Sequence, residues 1–104
     1  MFGWGVKTVS TDALAEKIKA GKVVLIDVRE PSEFAGGRVP GAINIPLGQL
    51  RDRAGKLDAH AETFLICASG NRSGTAARQL KALGFTDAYS VKGGMRMWRG
   101  KIKR

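Results

Sequence analysis

The amino-acid sequence predicts an α/β domain with a central five-stranded parallel sheet flanked by helices on both faces. Short apolar and β-branched runs alternate with stretches of helical periodicity along the 104 residues. The run Val23–Val28 is apolar except for Asp27, which is typical of a strand in a sheet covered on both faces. The length is that of one ordinary domain, large enough to bury a core without disulfides or a structural metal.

Five strands are predicted, each a short run bounded by turn residues. In chain order they cover Val6–Ser10, Val23–Val28, Ala42–Ile45, Thr63–Ile66 and Ala88–Val91. Prolines at positions 40 and 46 bracket the third of these strands. Because helical segments separate the strands, right-handed crossovers are expected to connect them in parallel.

Helical segments are predicted between and after the strands. In chain order they are a helix containing Leu14 and Ile18 and ending at Gly21, a turn over Glu30–Phe34, a stretch over residues 47–57, a helix over Ser73–Leu83, and a turn over Met95–Trp98. The first follows a cluster of N-cap residue types, and the second has a proline in its first positions. The fourth has a stripe of alanine and leucine and ends before Gly84, a residue type common after helices.

The formal net charge of +9 is concentrated in the last third of the chain. Residues 72–104 contain nine Lys/Arg and one acid, a net of +8, whereas residues 1–71 have a net of only +1. Such a surplus favours an anionic partner: nucleic acid, an acidic membrane, an acidic protein or a small anionic substrate. A solvated basic surface is the plainer interpretation. Few aromatic residues accompany the basic ones, so nucleic-acid binding is not predicted.

One cysteine and one histidine limit the possible chemistry. They exclude an internal disulfide and a paired-cysteine redox site, and no metal or other cofactor is predicted. The start of the chain, MFGWGVKTVS, lacks the basic and long apolar regions of a leader. No apolar run approaches the ~18 residues of a membrane span, so a cytoplasmic protein without membrane contact is predicted.

Function is predicted at the carboxyl end of the fourth strand, because sites in parallel sheets lie at carboxyl ends. There Cys67 is followed by the small or polar residues Ala68, Ser69, Gly70 and Asn71, and then by Arg72 and Ser73. Successive N–H groups of such a turn, together with the following helix N-terminus, form an anion-binding nest. A thiol there should have a lowered pKa, and Arg72 could add a positive charge. The plainer alternative is that Cys67 is a small buried apolar residue.

His60 is predicted to lie too far from Cys67 to act as its base. It stands seven residues upstream, before the strand that delivers the cysteine, which places it roughly 20 Å away. Hydrolysis or acyl transfer assisted by histidine is therefore not expected. Two kinds of chemistry stay open: sulfur transfer through a persulfide, and oxyanion chemistry with phosphate or arsenate in the nest.

Four segments in order resemble the single-domain rhodaneses, the thiosulfate sulfurtransferase family. They are Leu25–Glu30, Arg38–Pro46, Cys67–Arg72, and Val91–Gly94 with Trp98. The resemblance covers a domain over residues 6–100 and leaves 101–104 as a basic C-terminal tail. It implies a sulfurtransferase in which Cys67 takes sulfur from thiosulfate or another persulfide donor and passes it to cyanide or a thiol. The main-chain amides of Ala68 to Ser73 would cradle the persulfide.

The resemblance also bears on the alternatives. Four residues separate Cys67 from Arg72, one fewer than in rhodanese-fold phosphatases, so sulfur is favoured over phosphate or arsenate. Where this chain has Ala68, classical thiosulfate enzymes often have a basic residue that holds the sulfonate end of the substrate. A module that docks on an acidic protein partner through the basic last third remains the second hypothesis.

Two further expectations concern the surroundings of the loop. Asp27 and Arg29 are expected either to orient it through hydrogen bonds or to serve structure, with Asp27 capping the following turn and Arg29 paired to Glu30 or Glu33. Gly93 and Gly94 are expected to allow close backbone packing beside the loop.

Overall fold

The computed structural model describes residues 6–104. The first five residues, part of the segment assessed above for a leader, lie outside the described residues. The strands are β1 Lys7–Val9, β2 Val24–Asp27, β3 Ile43–Asn44, β4 Thr63–Ile66 and β5 Ala88–Val91. The helices are α1 Thr11–Ala20, α2 Pro31–Ala35, α3 Leu50–Arg53, α4 Asn71–Ala82 and α5 Gly94–Met97.

The five strands form one sheet in the order β1-β5-β4-β2-β3, and every neighbouring pair is parallel. The predicted fold class is therefore confirmed. The central strand β4 ends directly before Cys67, between β5 and β2. The carboxyl ends of three adjacent strands consequently meet around this cysteine.

Alternate residues of the strands serve two separate core layers. Leu25 and Phe64 belong to the layer under α1, whereas Ile26 and Leu65 belong to the layer under α3 and α4. Cys67 continues the second layer, so its side chain lies on the α4 face of the sheet. The apolar character of β2 and β4 thus follows from burial on both faces.

Two element predictions are wrong in detail. Residues 47–57 do not form one helix, because the single turn α3 is flanked by 3-10 turns at Leu47–Gln49 and Ala54–Lys56. Helix α4 begins at Asn71, two residues before the predicted start, so it includes the end of the cysteine loop. The first helix is confirmed: the Ser10 hydroxyl accepts a 3.0 Å hydrogen bond from the Ala13 N–H.

The last residues of the chain lie against the segment between α2 and β3. Arg38 and Lys103 exchange two main-chain hydrogen bonds of 2.9 and 2.8 Å. The Ile102 side chain lies against Gly37, and the Trp98 indole donates to the carbonyl of Lys101 at 2.9 Å. The residues named above as the basic tail therefore run along this segment.

Within residues 6–104, no helix combines the length and apolar character needed to cross a bilayer. Over the same residues, no three metal-ligating side chains are grouped together.

Candidate active site

The turn after Cys67 is held by main-chain hydrogen bonds from α5. The carbonyls of Cys67 and Ala68 accept from the N–H groups of Met95 and Arg96 at 2.8 and 3.0 Å. Gly70 closes the turn in the left-handed region, at φ +108°, immediately before α4 begins. With two carbonyls bound on the α5 side, the N–H groups of the turn are free to face the sulfur.

The Cys67 sulfur is the focus of these N–H groups. Its Sγ accepts from the N–H of Gly70 at 3.0 Å and of Ser73 at 3.3 Å, and it lies 3.5 Å from the Ser73 hydroxyl oxygen. The residue is 1% exposed. Asn71 and Arg72 occupy the first positions of α4, where N–H groups have no intrahelical acceptor. The site therefore presents a sulfur surrounded by hydrogen-bond donors, as an anion requires.

Burial and hydrogen bonding act in opposite directions on the thiol. Burial raises the pKa of Cys67, because it disfavours the thiolate. Hydrogen bonds from the Ser73 hydroxyl and from the N–H groups of Ser73, Gly70 and Ser69 lower the pKa and outweigh burial. The net pKa lies below the ordinary value of a cysteine, so the nest favours the thiolate, which is the nucleophilic form.

Gly94, the first residue of α5, permits the close approach of this helix to the loop, and Gly93 before it lies against Gly70. A Cβ at Gly94 would overlap the Cys67 carbonyl oxygen and the Ala68 carbonyl, and its φ is +55°. A Cβ at Gly70 would lie 3.3 Å from the Gly93 nitrogen. The predicted close packing of Gly93 and Gly94 beside the loop is therefore confirmed.

Arg72 is paired rather than free. Its guanidinium binds both carboxylate oxygens of Glu33 on α2, at 2.7 and 3.0 Å. The same carboxylate accepts from the Glu30 N–H at 2.9 Å. The Arg72 guanidinium and the Glu30 N–H lower the pKa of Glu33 to about 2. The positive charge of Arg72 is thus balanced by the Glu33 carboxylate. The sequence alone did not place Glu33 beside Arg72.

Asp27 and Arg29 form a buried pair at the end of β2. The Arg29 guanidinium binds the Asp27 carboxylate with contacts of 2.8 to 3.1 Å and donates to the Gly37 carbonyl at 2.7 Å. The expected pairing of Arg29 with Glu30 or Glu33 is wrong, since its ion-pair partner is Asp27. The Asn44 amide donates to the carbonyls of both residues, at 2.9 and 3.0 Å. These hydrogen bonds hold the segment before β3 rather than the cysteine loop.

The remaining site residues act through their backbone or lie elsewhere. The side chains of Ser69 and Asn71 are exposed, so these positions offer main-chain N–H groups to the site. His60 is exposed in the loop before β4, at the opposite end of that strand from Cys67, as predicted. Sequence reasoning missed Ser90, whose hydroxyl oxygen lies 2.7 Å from that of Ser73. A serine within the predicted strand Ala88–Val91 was the available signal.

Comparisons with known proteins agree with this geometry. Residues 10–101 match the model of a family described as "Rhodanese-like domain". The uncharacterized protein YqhL of Bacillus subtilis is 48% identical over 85% of this chain and 71% of its own. The thiosulfate sulfurtransferase GlpE of Pseudomonas putida is 36% identical over 89% of this chain and 84% of its own. The structure of the human single-domain sulfurtransferase TSTD1 superimposes with a TM-score of 0.82 at 31% identity, covering 90% of this chain and 96% of that one.

Proposed function

Because the chain belongs to the rhodanese-like domain family, we propose that it is a sulfurtransferase that carries sulfur as a persulfide on Cys67. In this proposal it takes sulfane sulfur from thiosulfate or another persulfide donor. It then delivers the sulfur to a thiophilic acceptor, either cyanide or a thiol. Cytoplasmic location stays a prediction.

Each half of the proposed reaction is a displacement at sulfur. The Cys67 thiolate attacks the outer sulfur of thiosulfate, the sulfur–sulfur bond of thiosulfate breaks, and its electron pair leaves with sulfite. The acceptor then attacks the terminal sulfur of the persulfide, and the electron pair of that bond returns to Cys67 Sγ. No proton transfer is needed when the cysteine starts as thiolate, which is consistent with the remote position of His60.

The observation that carries this proposal is the convergence of N–H groups on Cys67 Sγ. Gly70 and Ser73 already donate to it. Asn71 and Arg72 have N–H groups with no intrahelical acceptor in the same turn, and these are available to a terminal sulfur anion. A charged sulfur can therefore be accommodated by backbone alone.

The identity of the sulfur donor depends on the cations at the loop. Arg72 is held by Glu33, and Ala68 has no charge with which to bind a sulfonate. Arg72 lies close enough to Cys67 for their charges to interact, so a thiosulfate sulfonate would compete with Glu33 for its guanidinium. A low-molecular-weight persulfide would need no such cation. An acidic protein remains a candidate partner of the basic last third.

Intact-mass spectrometry of the whole chain tests the proposal. After incubation with thiosulfate or with glutathione persulfide, the protein is expected to gain the mass of one sulfur atom and, with thiosulfate, to release one equivalent of sulfite. Cyanide should remove the added sulfur as thiocyanate. The Cys67→Ser variant should gain nothing, because it lacks the attacking sulfur.

Two results would contradict the proposal. One is the absence of added sulfur with either sulfur donor in a protein whose Cys67 is alkylated normally by iodoacetamide. The other is hydrolysis of an aryl phosphate that is lost in Cys67→Ser, which would assign the nest to phosphate instead.

A further inference from the structure

Two buried serine hydroxyls lie in contact behind the Cys67 sulfur. Ser73 Oγ is 3.5 Å from Cys67 Sγ and 2.7 Å from Ser90 Oγ. Ser73 is fully buried and Ser90 is 3% exposed. Ser90 lies on β5, so this short chain of polar atoms joins the cysteine loop to the neighbouring strand.

The acceptors available to each hydroxyl determine where its proton lies. Ser73 has two besides Ser90: the Gly70 carbonyl at 3.1 Å and Cys67 Sγ. Within residues 6–104, the hydrogen-bond partner of the Ser90 hydroxyl is Ser73 Oγ. A buried hydroxyl that donates to nothing is costly. Ser90 therefore donates to Ser73, and the Ser73 proton is left for Gly70 or for the sulfur.

We propose that Ser90 is a positioning residue, which directs the Ser73 hydroxyl proton toward Cys67 whenever that sulfur is anionic. In the neutral thiol, the S–H donates to Ser73 Oγ and Ser73 donates to the Gly70 carbonyl. In the thiolate, the Ser73 proton turns to the sulfur, while Ser90 continues to donate to Ser73. Successive hydrogen bonds polarise one another, so the donation from Ser90 strengthens the donation from Ser73.

The effect of Ser90 on the ionisation of Cys67 does not depend on the proposed function. Only the use of the thiolate in catalysis rests on that function. The thiolate is the form that attacks the sulfur donor, and it is also the leaving group when the acceptor takes the sulfur. Its ionisation can be measured without any sulfur transfer. Failure of the positioning role and failure of the sulfurtransferase proposal are therefore separate results.

Titration of the Cys67 thiol in four forms of the full-length chain tests this role: wild type, Ser90→Ala, Ser73→Ala and the double variant. The pH dependence of the alkylation rate by iodoacetamide gives the midpoint in each. The charged groups near the loop are Arg72 on α4, Glu30 and Glu33 at α2, Asp27 at the end of β2 with Arg29 after it, and Lys92 and Arg96 after β5. None of them is altered in these variants.

We expect Ser90→Ala to raise the midpoint by about half a pH unit and Ser73→Ala to raise it by about one unit. Because Ser90 acts through Ser73, the double variant should match Ser73→Ala alone. Ser90→Thr, which retains a hydroxyl, should restore the wild-type midpoint. Thr63→Ala, which removes a buried hydroxyl at the other end of β4, should leave the midpoint unchanged.

The inference is overturned if Ser90→Ala leaves the midpoint unchanged while Ser73→Ala raises it. It is also overturned if Ser90→Ala raises the midpoint equally in the Ser73→Ala background, since Ser90 would then act independently of Ser73. A change in thermal stability alone, without a change in midpoint, would assign Ser90 to packing.

Discussion

The cysteine loop and the corner at the end of β2 are ordered in opposite ways. In the loop, residues 67–73, the groups that contact the sulfur are mostly main-chain N–H donors. In the corner, side chains make the decisive contacts: the buried Asp27 and Arg29 bind each other, and Arg29 and the half-buried Asn44 bind nearby carbonyls. The region with the more conspicuous charges is therefore the one we expect to serve structure.

This difference has a physical reason. A sulfur anion that must be loaded and unloaded is best held by fixed dipoles that need no reorganisation between states. A corner that must keep one geometry gains from a buried ion pair, which is satisfied by few arrangements. Substitutions in the two regions should accordingly separate activity from stability.

The largest effect on activity is expected where the loop backbone itself is displaced. Gly94→Ala would overlap the carbonyls of Cys67 and Ala68, so the loop must shift. We expect a loss of about 100-fold in the sulfur-loading rate, as for misplacement of a reacting group. Rapid-quench mass spectrometry measures it.

Gly84→Ala is the matched control for that substitution. Gly84 also has a positive φ, at +97°, but a Cβ there meets no atom within 4 Å. It should cost about 1–2 kcal/mol of stability through backbone strain and leave the loading rate unchanged. Equal loss of activity in both variants would contradict the role given to Gly94.

A second substitution tests the corner. Asp27→Asn leaves the buried Arg29 guanidinium without its counter-charge, and we expect a loss of about 3–5 kcal/mol in the free energy of unfolding. Urea denaturation measures this loss. Sulfur loading per folded molecule should change little, since neither side chain is hydrogen bonded to the loop.

The exposed ion pair of Asp12 and Arg99 provides the comparison. Its side chains are 69% and 79% exposed, so Asp12→Asn should cost less than about 1 kcal/mol. Normal stability of Asp27→Asn combined with abolished loading would show that the corner is catalytic and would remove the contrast between the two regions.

The smallest effect is expected at the ion pair of Glu33 and Arg72, which joins α2 to the loop. Glu33→Gln removes the negative charge beside Arg72, so the guanidinium can attract an anion. The KM for thiosulfate should fall about threefold at low salt, with a smaller effect at high salt. Glu16→Gln, in an exposed pair with Lys19, should not change the KM. An unchanged or raised KM in Glu33→Gln would show that Arg72 does not face the substrate.

The same pair has a defined acid dependence. The pKa of Glu33 is lowered to about 2, so its contribution to stability is fully present above the ordinary carboxyl value. It is lost as the pH falls through about 2. Glu33→Gln should abolish that part of the acid unfolding profile, which circular dichroism can follow.

Local patterns were sufficient for most of the fold and for the nucleophile. Strands β4 and β5 have the predicted bounds, because short apolar runs between turn residues leave few alternatives. The loop at Cys67 was found from its small residues and its place at a strand end. The mixed helical geometry over residues 47–57 could not be predicted from local patterns, because it depends on packing against α4.

The contacts that sequence reasoning missed join residues far apart in the chain. Glu33 and Arg72, Ser73 and Ser90, and Arg38 and Lys103 are each brought together by the sheet order and its crossovers. The spacing of residues along the sequence does not indicate such a pair. Asp27 and Arg29 are the opposite case, since they lie close together in the sequence beside a candidate site. In the structure the Arg29 guanidinium donates to the Asp27 carboxylate and to the Gly37 carbonyl.

The near-complete burial of Cys67 makes the two proposed half-reactions unequal in the size of molecule they admit. At 1% exposure, the bare sulfur can be reached only by a slender sulfur donor that enters the turn. Once loaded, the outer sulfur stands about 2 Å further along the sulfur–sulfur bond. A bulky acceptor then needs to reach only this outer sulfur and not Cys67 Sγ. We therefore expect the size limit to be stricter for the sulfur donor than for the acceptor.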